Sequence, residues 1–368
     1  MIIYYALFLA WLFIYCFTRQ YTIAEYRESD YEMPNTKRRR TAAICCGVLL
    51  FIIMAFRSPS VGTDTYSYMN EYNNYVYSLS FDSIKSIFQN EVGYQALKAI
   101  FRFAGASWQV FLICVSAFVA YAYSKFIYRY AANIFLGFYL FGTIGMFAMA
   151  LTGFRQTIAV ACVLMAFMKW RDKKYALYVL YTIIGCSIHY TAIICFPLAA
   201  VTLLRYAGRK QLLCISLIPV IVRFSSSFLY PLIMRFSLRK YSFNGYFSDL
   251  NLKISGIVEL VAFAILLACL LCLLLNREVK DRDVQFFTLL SVYVSCIELS
   301  HVIYMASRLG YYFIFFMTTM LANAIYRIDN KTIRYIGMIF MLLLPLLQFM
   351  ISIPGSSYGI DQYIFFWN

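Results

Sequence analysis

The side chains best able to bind or move charge stand where apolar stretches end: Arg57, Asp64, Glu91, Arg155, His189 and Arg308. Arg155, in Gly153-Phe154-Arg155-Gln156, falls between one apolar segment and the next, in a chain that otherwise keeps charge out of such stretches. Arginines near a bilayer boundary suit an anionic ligand held at one membrane face, because the planar guanidinium matches phosphate oxygens two at a time. An aspartate or histidine beside such a ligand can take a proton from an incoming hydroxyl. Each residue also has a plainer reading. A lone interfacial arginine snorkels to water. His189 suits a neutral interhelical hydrogen bond, and Asp64, in Gly62-Thr63-Asp64-Thr65-Tyr66, suits an Asx-turn or a helix cap. Tyr66, Tyr68, Tyr72, Tyr75 and Tyr77 suit sugar stacking, yet interfacial tyrosine belts need no ligand. Glu298 and His301, one helical turn apart, read as a buried pair or a second proton site.

The elements that must position these groups follow from composition. With 62% hydrophobic and 13% charged residues among 368, and a mean hydropathy of +0.70, the chain has too little polar surface to coat a soluble globule. It reads as an all-α, polytopic integral membrane protein forming a single domain over residues 1–368. Runs such as Ile254–Leu275 and Val284–Tyr304 are long enough to cross a hydrocarbon core of roughly 30 Å and lack the alternation of barrel strands. The first run, Met1–Phe17, has no basic leader and no small-residue cleavage site, which predicts a retained span. The 11 cysteines all fall in apolar segments and read as small core residues. Cys269 and Cys272 form a C-x-x-C without the histidine or second pair that zinc requires. The net charge of +15 is scattered through short loops, which points to topology and away from nucleic acid.

The hydrophobic pattern predicts about twelve spans, at 2–17, 42–56, 107–124, 133–151, 153–169, 175–188, 190–204, 211–223, 254–275, 284–304, 309–325 and 335–353. Placing the basic loop Thr18–Thr41 in the cytoplasm puts most of the 32 basic residues on that side and both termini outside. The two short segments flanking His189 read as partial spans meeting at the histidine. Phe81–Ala104 reads as helices lying in the outer interface. Two outer loops, 57–106 and 224–253, are large enough to carry function.

In this order several runs resemble the EpsG family of Wzy-like O-antigen and exopolysaccharide polymerases. They are Phe56-Arg57 with Val61-Gly62-Thr63-Asp64-Thr65-Tyr66-Ser67-Tyr68, then Glu91-Val92-Gly93-Tyr94, Gly153-Phe154-Arg155-Gln156-Thr157-Ile158-Ala159, Ser187-Ile188-His189-Tyr190-Thr191-Ala192 and Ser307-Arg308-Leu309-Gly310-Tyr311-Tyr312-Phe313. The set covers roughly residues 50–315. The resemblance implies a GT-C-like polymerase on the outer face of a bacterial cytoplasmic (inner) membrane, joining repeat units carried on undecaprenyl diphosphate and releasing that lipid. It implies diphosphate binding by Arg57, Arg155 and Arg308. His189 or Asp64 would be the base, and Gln156, Tyr66, Tyr68 and Glu91 would contact or support the sugars. Expected partners are the undecaprenyl-diphosphate-linked oligosaccharide, membrane lipid, a repeat-unit flippase and a chain-length-determining co-polymerase, with no nucleic acid.

No cofactor and no metal are expected. The one D-x-D, Asp281-Arg282-Asp283, sits in basic company on the predicted cytoplasmic side, and arginines can replace a cation on a diphosphate. Two rival classes stand beside the polymerase. A membrane acyltransferase would use His189 as a base but leaves the dispersed arginines unexplained. A lipid-linked oligosaccharide flippase would need charge at mid-membrane, and the midspans are almost free of it.

Overall fold

The computed structural model describes residues 1–18, 33, 35–74, 91–236, 256–276, 278–302, 306–356 and 358–368. The secondary structure of the described residues is helical, apart from an isolated antiparallel bridge between Arg57 and Phe365. They fall into two compact units. The first gathers the described residues of 1–200 with 353–368, and the second those of 201–352.

The first unit is built from α1 (Ile2–Thr18), α2 (Lys37–Ala55), α3 (Thr65–Asn73), α4 (Val92–Phe103), α5 (Trp108–Tyr130), α6 (Ile134–Thr143), α7 (Met146–Thr152), α8 (Phe154–Arg171) and α9 (Tyr175–Ile188). A 3-10 turn, Tyr190–Ile194, leads into α10 (Cys195–Val201). Short polar side chains start these helices. Thr36 accepts from the Arg39 amide, Ser107 from Val110 and Asn133 from Leu136, each satisfying a first-turn donor that has no partner within the helix. Arg39 stops another. Its buried guanidinium donates to the carbonyls of Tyr128, Ala131 and Ala132 at 2.8–2.9 Å, where the C-terminal dipole of α5 favours a cation.

The second unit holds α11 (Arg209–Phe236), α12 (Gly256–Leu275), α13 (Asp281–Leu299), α14 (Ala306–Gly310), α15 (Ile314–Tyr326) and α16 (Lys331–Ser352). Its D-x-D motif does structural work. Asp283 accepts from the Lys280 amide at the start of α13 and pairs with Arg327, while Asp281 accepts from the Tyr206 amide at 2.8 Å.

Among the described residues, α5, α12 and α16 are each long and apolar enough to cross a membrane. The run expected as one span over 133–151 is two helices, α6 and α7, bent by 63° at Gly145. A fourth crossing is made if that pair counts as one span. Shorter apolar helices, α1, α9 and α15, add to these, and the whole fits a multi-pass membrane protein. Helix α9 has the predicted bounds and stops at His189. Helix α11 continues past the expected limit of 223 to Phe236, so the beginning of the expected 224–253 loop is helix. Its remainder, with Arg239, Lys240 and Tyr241–Tyr246, lies outside the described residues, as do Tyr75, Tyr77 and residues 81–90. The rest of the expected interfacial segment is α4, whose apolar and polar residues separate onto two faces.

Candidate functional site

The site in the first unit is assembled from three pieces of chain that the sequence keeps far apart. The first is the turn Val61–Asp64 with α3. Gly62 adopts φ +91°, in the left-handed region, and a Cβ there would overlap the Leu151 carbonyl oxygen. That close approach lets the Thr65 hydroxyl donate to Val61 O at 2.8 Å and lie 3.2 Å from Leu151 O, which ties the start of α3 to α7. The C-terminal segment covers the same turn. The Gly62 and Thr63 amides donate to Gly359 O and Tyr358 O at 2.8 and 3.0 Å, and the Thr152 hydroxyl donates to Tyr358 O at 2.8 Å.

The second piece is Glu91 with α4. Glu91 has φ +54°, a strained conformation for a residue with a side chain and one that points toward function. Helix α4 is fastened to α3 through Glu71, which pairs with the buried Lys98 at 2.5 Å and accepts from Gln95 at 3.3 Å. Burial pulls the Lys98 ammonium below its usual range, and Glu71 opposes that shift. Gly93 lets α4 lie directly on α9, since a Cβ there would overlap the Ser187 side chain.

The third piece is the junction of α8 and α9, which pack against each other. Arg155 stands in the first turn of α8, and His189 follows the last residue of α9 in extended conformation. The three pieces meet at one carboxylate. Arg155 Nη1 donates to Glu91 Oε2 at 2.8 Å, and His189 Nδ1 lies 2.5 Å from Glu91 Oε1. Arg155 also sits over the rings of Tyr68 and Tyr94, at 5.5 and 5.8 Å from their centroids.

Exposure grades across this group. The Glu91 side chain is 13% exposed, His189 18% and Arg155 36%, so the carboxylate is sheltered while the guanidinium reaches an accessible surface. An ionised Glu91 facing Nδ1 holds the proton on that nitrogen and turns Nε2 into the acceptor. Burial raises the Tyr68 phenol above its usual range against the lowering effect of Arg155, and Asp64 and Glu91 add to the rise. Burial likewise raises Tyr94. Below lies an aromatic wall of Tyr72, Trp108, Phe111 and Phe154 with centroids 4.8–5.8 Å apart. Each such pair contributes about 0.5–1.5 kcal/mol beyond the area it buries, which makes a stiff floor for the charges above it.

Of the residues expected from sequence, Arg155, Glu91, His189 and Tyr68 are brought together. Asp64 stands at the start of α3 without a side-chain capping bond and close enough to Tyr68 to act on it electrostatically. Tyr66 is exposed and Gln156 is buried behind Arg155 in α8. Arg57 lies elsewhere in the unit. It is 1% exposed, just past α2, donating to Met54 O and paired through the backbone with Phe365 of the C-terminal segment. Burial lowers its pKa to about 10, opposed by Tyr363 and Tyr4. Arg308 belongs to α14 of the second unit. Tyr94, Lys98 and Glu71 were not singled out as site residues. The Glu91-x-x-Tyr94 spacing, which sets both on one turn, was the available signal for the first.

Fold and site together define a polytopic helical membrane protein with a half-buried glutamate–histidine–arginine cluster. The EpsG family model matches residues 41–365 of the 368, and the chain belongs to that family, the family of Wzy-like polymerases. No curated protein and no solved structure gives a significant match to it.

Proposed function

We propose that this chain is a polysaccharide polymerase that joins undecaprenyl-diphosphate-linked repeat units at the outer face of the bacterial cytoplasmic membrane. Membership of the EpsG family supports a polymerase-like membrane protein. The observation that carries the chemical reading is the Glu91 carboxylate, which faces Arg155 with one oxygen and His189 with the other.

In this reading His189 Nε2 takes the proton of the acceptor sugar hydroxyl, whose oxygen forms the new bond to the anomeric carbon of the growing chain. The bond from that carbon to the diphosphate oxygen breaks, and lipid diphosphate leaves with the electron pair. Arg155, at the positive end of α8, stabilises the charge that builds on the leaving group. Glu91 holds the imidazole in that tautomer and stabilises the imidazolium it becomes, as a carboxylate does in other histidine-based sites, and the Nε2 proton then passes to the departing diphosphate or to water. Tyr66, which is exposed, is proposed to stack on the sugars, and Tyr68, packed against Arg155 and Phe154, to support them. The accessible edge of Arg155 makes it the first candidate for the diphosphate, and the burial of Arg57 favours bracing.

The wider frame belongs to the same proposal: a single GT-C-like domain of about twelve crossings, both termini outside, serving O-antigen, capsule or exopolysaccharide assembly beside a flippase and a chain-length-determining co-polymerase. The test uses purified protein in nanodiscs with its cognate lipid-linked repeat unit. The expected products are a ladder of polymers and free undecaprenyl diphosphate. Acyl transfer to the sugar, or movement of the unit across the bilayer without polymerisation, overturns the reading.

A further inference from the structure

A second cluster of titratable groups lies wholly within the second unit and takes no part in the chemistry above. Glu259 stands in the first turn of α12, Glu298 in the last turn of α13, and His301 one turn further on. The His301 amide donates to Glu298 O at 3.2 Å, which keeps the two side chains on one side of the chain. Helix α12 packs against α13 and carries Glu259 to them. His301 Nε2 is 3.0 Å from Glu259 Oε2, and one donor atom from each of the three residues lies within 4.8 Å of the others.

Glu298 points to what the cluster is for. Its side chain is 1% exposed, and among the described residues no N–H or O–H donor reaches either carboxylate oxygen, whose nearest polar neighbour on α12 is the Glu259 carboxyl. The nearest cation, Arg223 of α11, is 3.6 Å away and half exposed, an ion pair without a hydrogen bond. A buried carboxylate without donors, next to a second carboxylate, is costly unless a cation or a proton compensates it. Arg223 offsets one of the two carboxylates; the other is offset either by a proton on His301, 3.0 Å from Glu259, or by a bound cation.

We propose that Glu259, Glu298 and His301 form a binding site for a first-row divalent transition metal that clips α12 to α13. The donor set decides the class of ion. Two carboxylates and one imidazole match Mn²⁺, Fe²⁺ or Zn²⁺, whereas Ca²⁺ asks for six to eight oxygens and soft cuprous ion asks for sulfur. Ligands held at about 2.1 Å on a tetrahedral ion stand roughly 3.4 Å apart, so the donors reach binding geometry by side-chain adjustment of about an ångström. The backbone stays as it is, and Arg223 can swing toward solvent or remain as a neighbour to the carboxylate.

The test is independent of polymerisation. Full-length protein carrying a histidine-free affinity tag is stripped with chelator in nanodiscs and titrated with Co²⁺, read by its visible ligand-field absorption, then with Zn²⁺ as competitor. The expected result is about one Co²⁺ per chain, displaced by Zn²⁺, with affinity reduced at least about tenfold in Glu298→Gln and in His301→Gln. Glu259→Gln, at a more exposed position, supplies a third variant, and unchanged helical circular dichroism certifies the fold of each. Absence of saturable Co²⁺ binding to the native protein, or equal binding by native and folded variants, overturns the proposal. So does a Co²⁺ spectrum that survives the loss of all three donors.

Discussion

Glu91 divides its carboxylate between two residues that are 64 and 98 positions away in sequence: Oε2 receives Arg155 Nη1 at 2.8 Å and Oε1 faces His189 Nδ1 at 2.5 Å. The prospective anion ligand and the prospective base are thereby set by one side chain, itself held at φ +54° at the start of α4. A change at Glu91 must therefore disturb both at once, whereas a change at either partner leaves the other anchored.

Glu91→Gln keeps the size of the side chain and removes its charge, so the His189 tautomer and the Arg155 anchor are both weakened. Polymer formation by purified protein is expected to fall by about 100-fold or more. Glu91→Asp, which keeps the charge and shortens the reach, is expected to recover part of that loss. A Gln variant as active as native protein would remove Glu91 from the chemistry.

Arg155→Lys retains a positive charge but loses the planar fork and the stacking on Tyr68 and Tyr94. Initial rates over a range of lipid-linked substrate concentrations should show a loss of about 10- to 100-fold in kcat/KM, with helical content unchanged. Arg155→Ala should lose more.

Gly62→Ala places a methyl group against the Leu151 carbonyl in a conformation that alanine disfavours. The expected cost is about 1–3 kcal/mol of stability, read as a lower thermal midpoint in detergent. Activity at low temperature should survive in the fraction that folds, because Gly62 positions α3 and touches no reacting group.

Arg57 tests bracing against binding. Its guanidinium is enclosed, with Nε unpaired among the described residues, beside the C-terminal segment. Arg57→Ala should lower the thermal midpoint and leave KM for the lipid-linked substrate near native in the folded protein. Arg57→Met, of similar bulk, should recover stability. A raised KM at native stability would instead return Arg57 to the diphosphate.

Much of the helical framework could be read from apolar run length, and α9 matches its predicted bounds residue for residue. The break at Gly145 was hidden because the apolar run continues through it, and hydropathy does not register a bend. The return of the C-terminal segment onto Arg57 and Gly62 was hidden for a different reason: it rests largely on backbone hydrogen bonds, joined by side-chain contacts such as Thr152 to Tyr358 O and Tyr363 to Ile53 O that follow no sequence period. Arg155 and His189 announced themselves by position at the ends of apolar segments. Their joint dependence on Glu91 did not, since pairing across such separations is fixed by helix packing and by the small residue at Gly93. In the second unit the Glu298 and His301 pair was legible from its i, i+3 spacing, while Glu259 entered only once α12 was seen against α13.

The most direct test of the central claim compares native protein with His189→Ala and Asp64→Asn in nanodiscs, given the cognate lipid-linked repeat unit and resolved by gel. The account predicts a ladder from native protein, a ladder within a few-fold of native from Asp64→Asn, and a loss of about 10²- to 10⁴-fold from correctly folded His189→Ala. A His189→Ala protein that still builds the ladder at the native rate would contradict it.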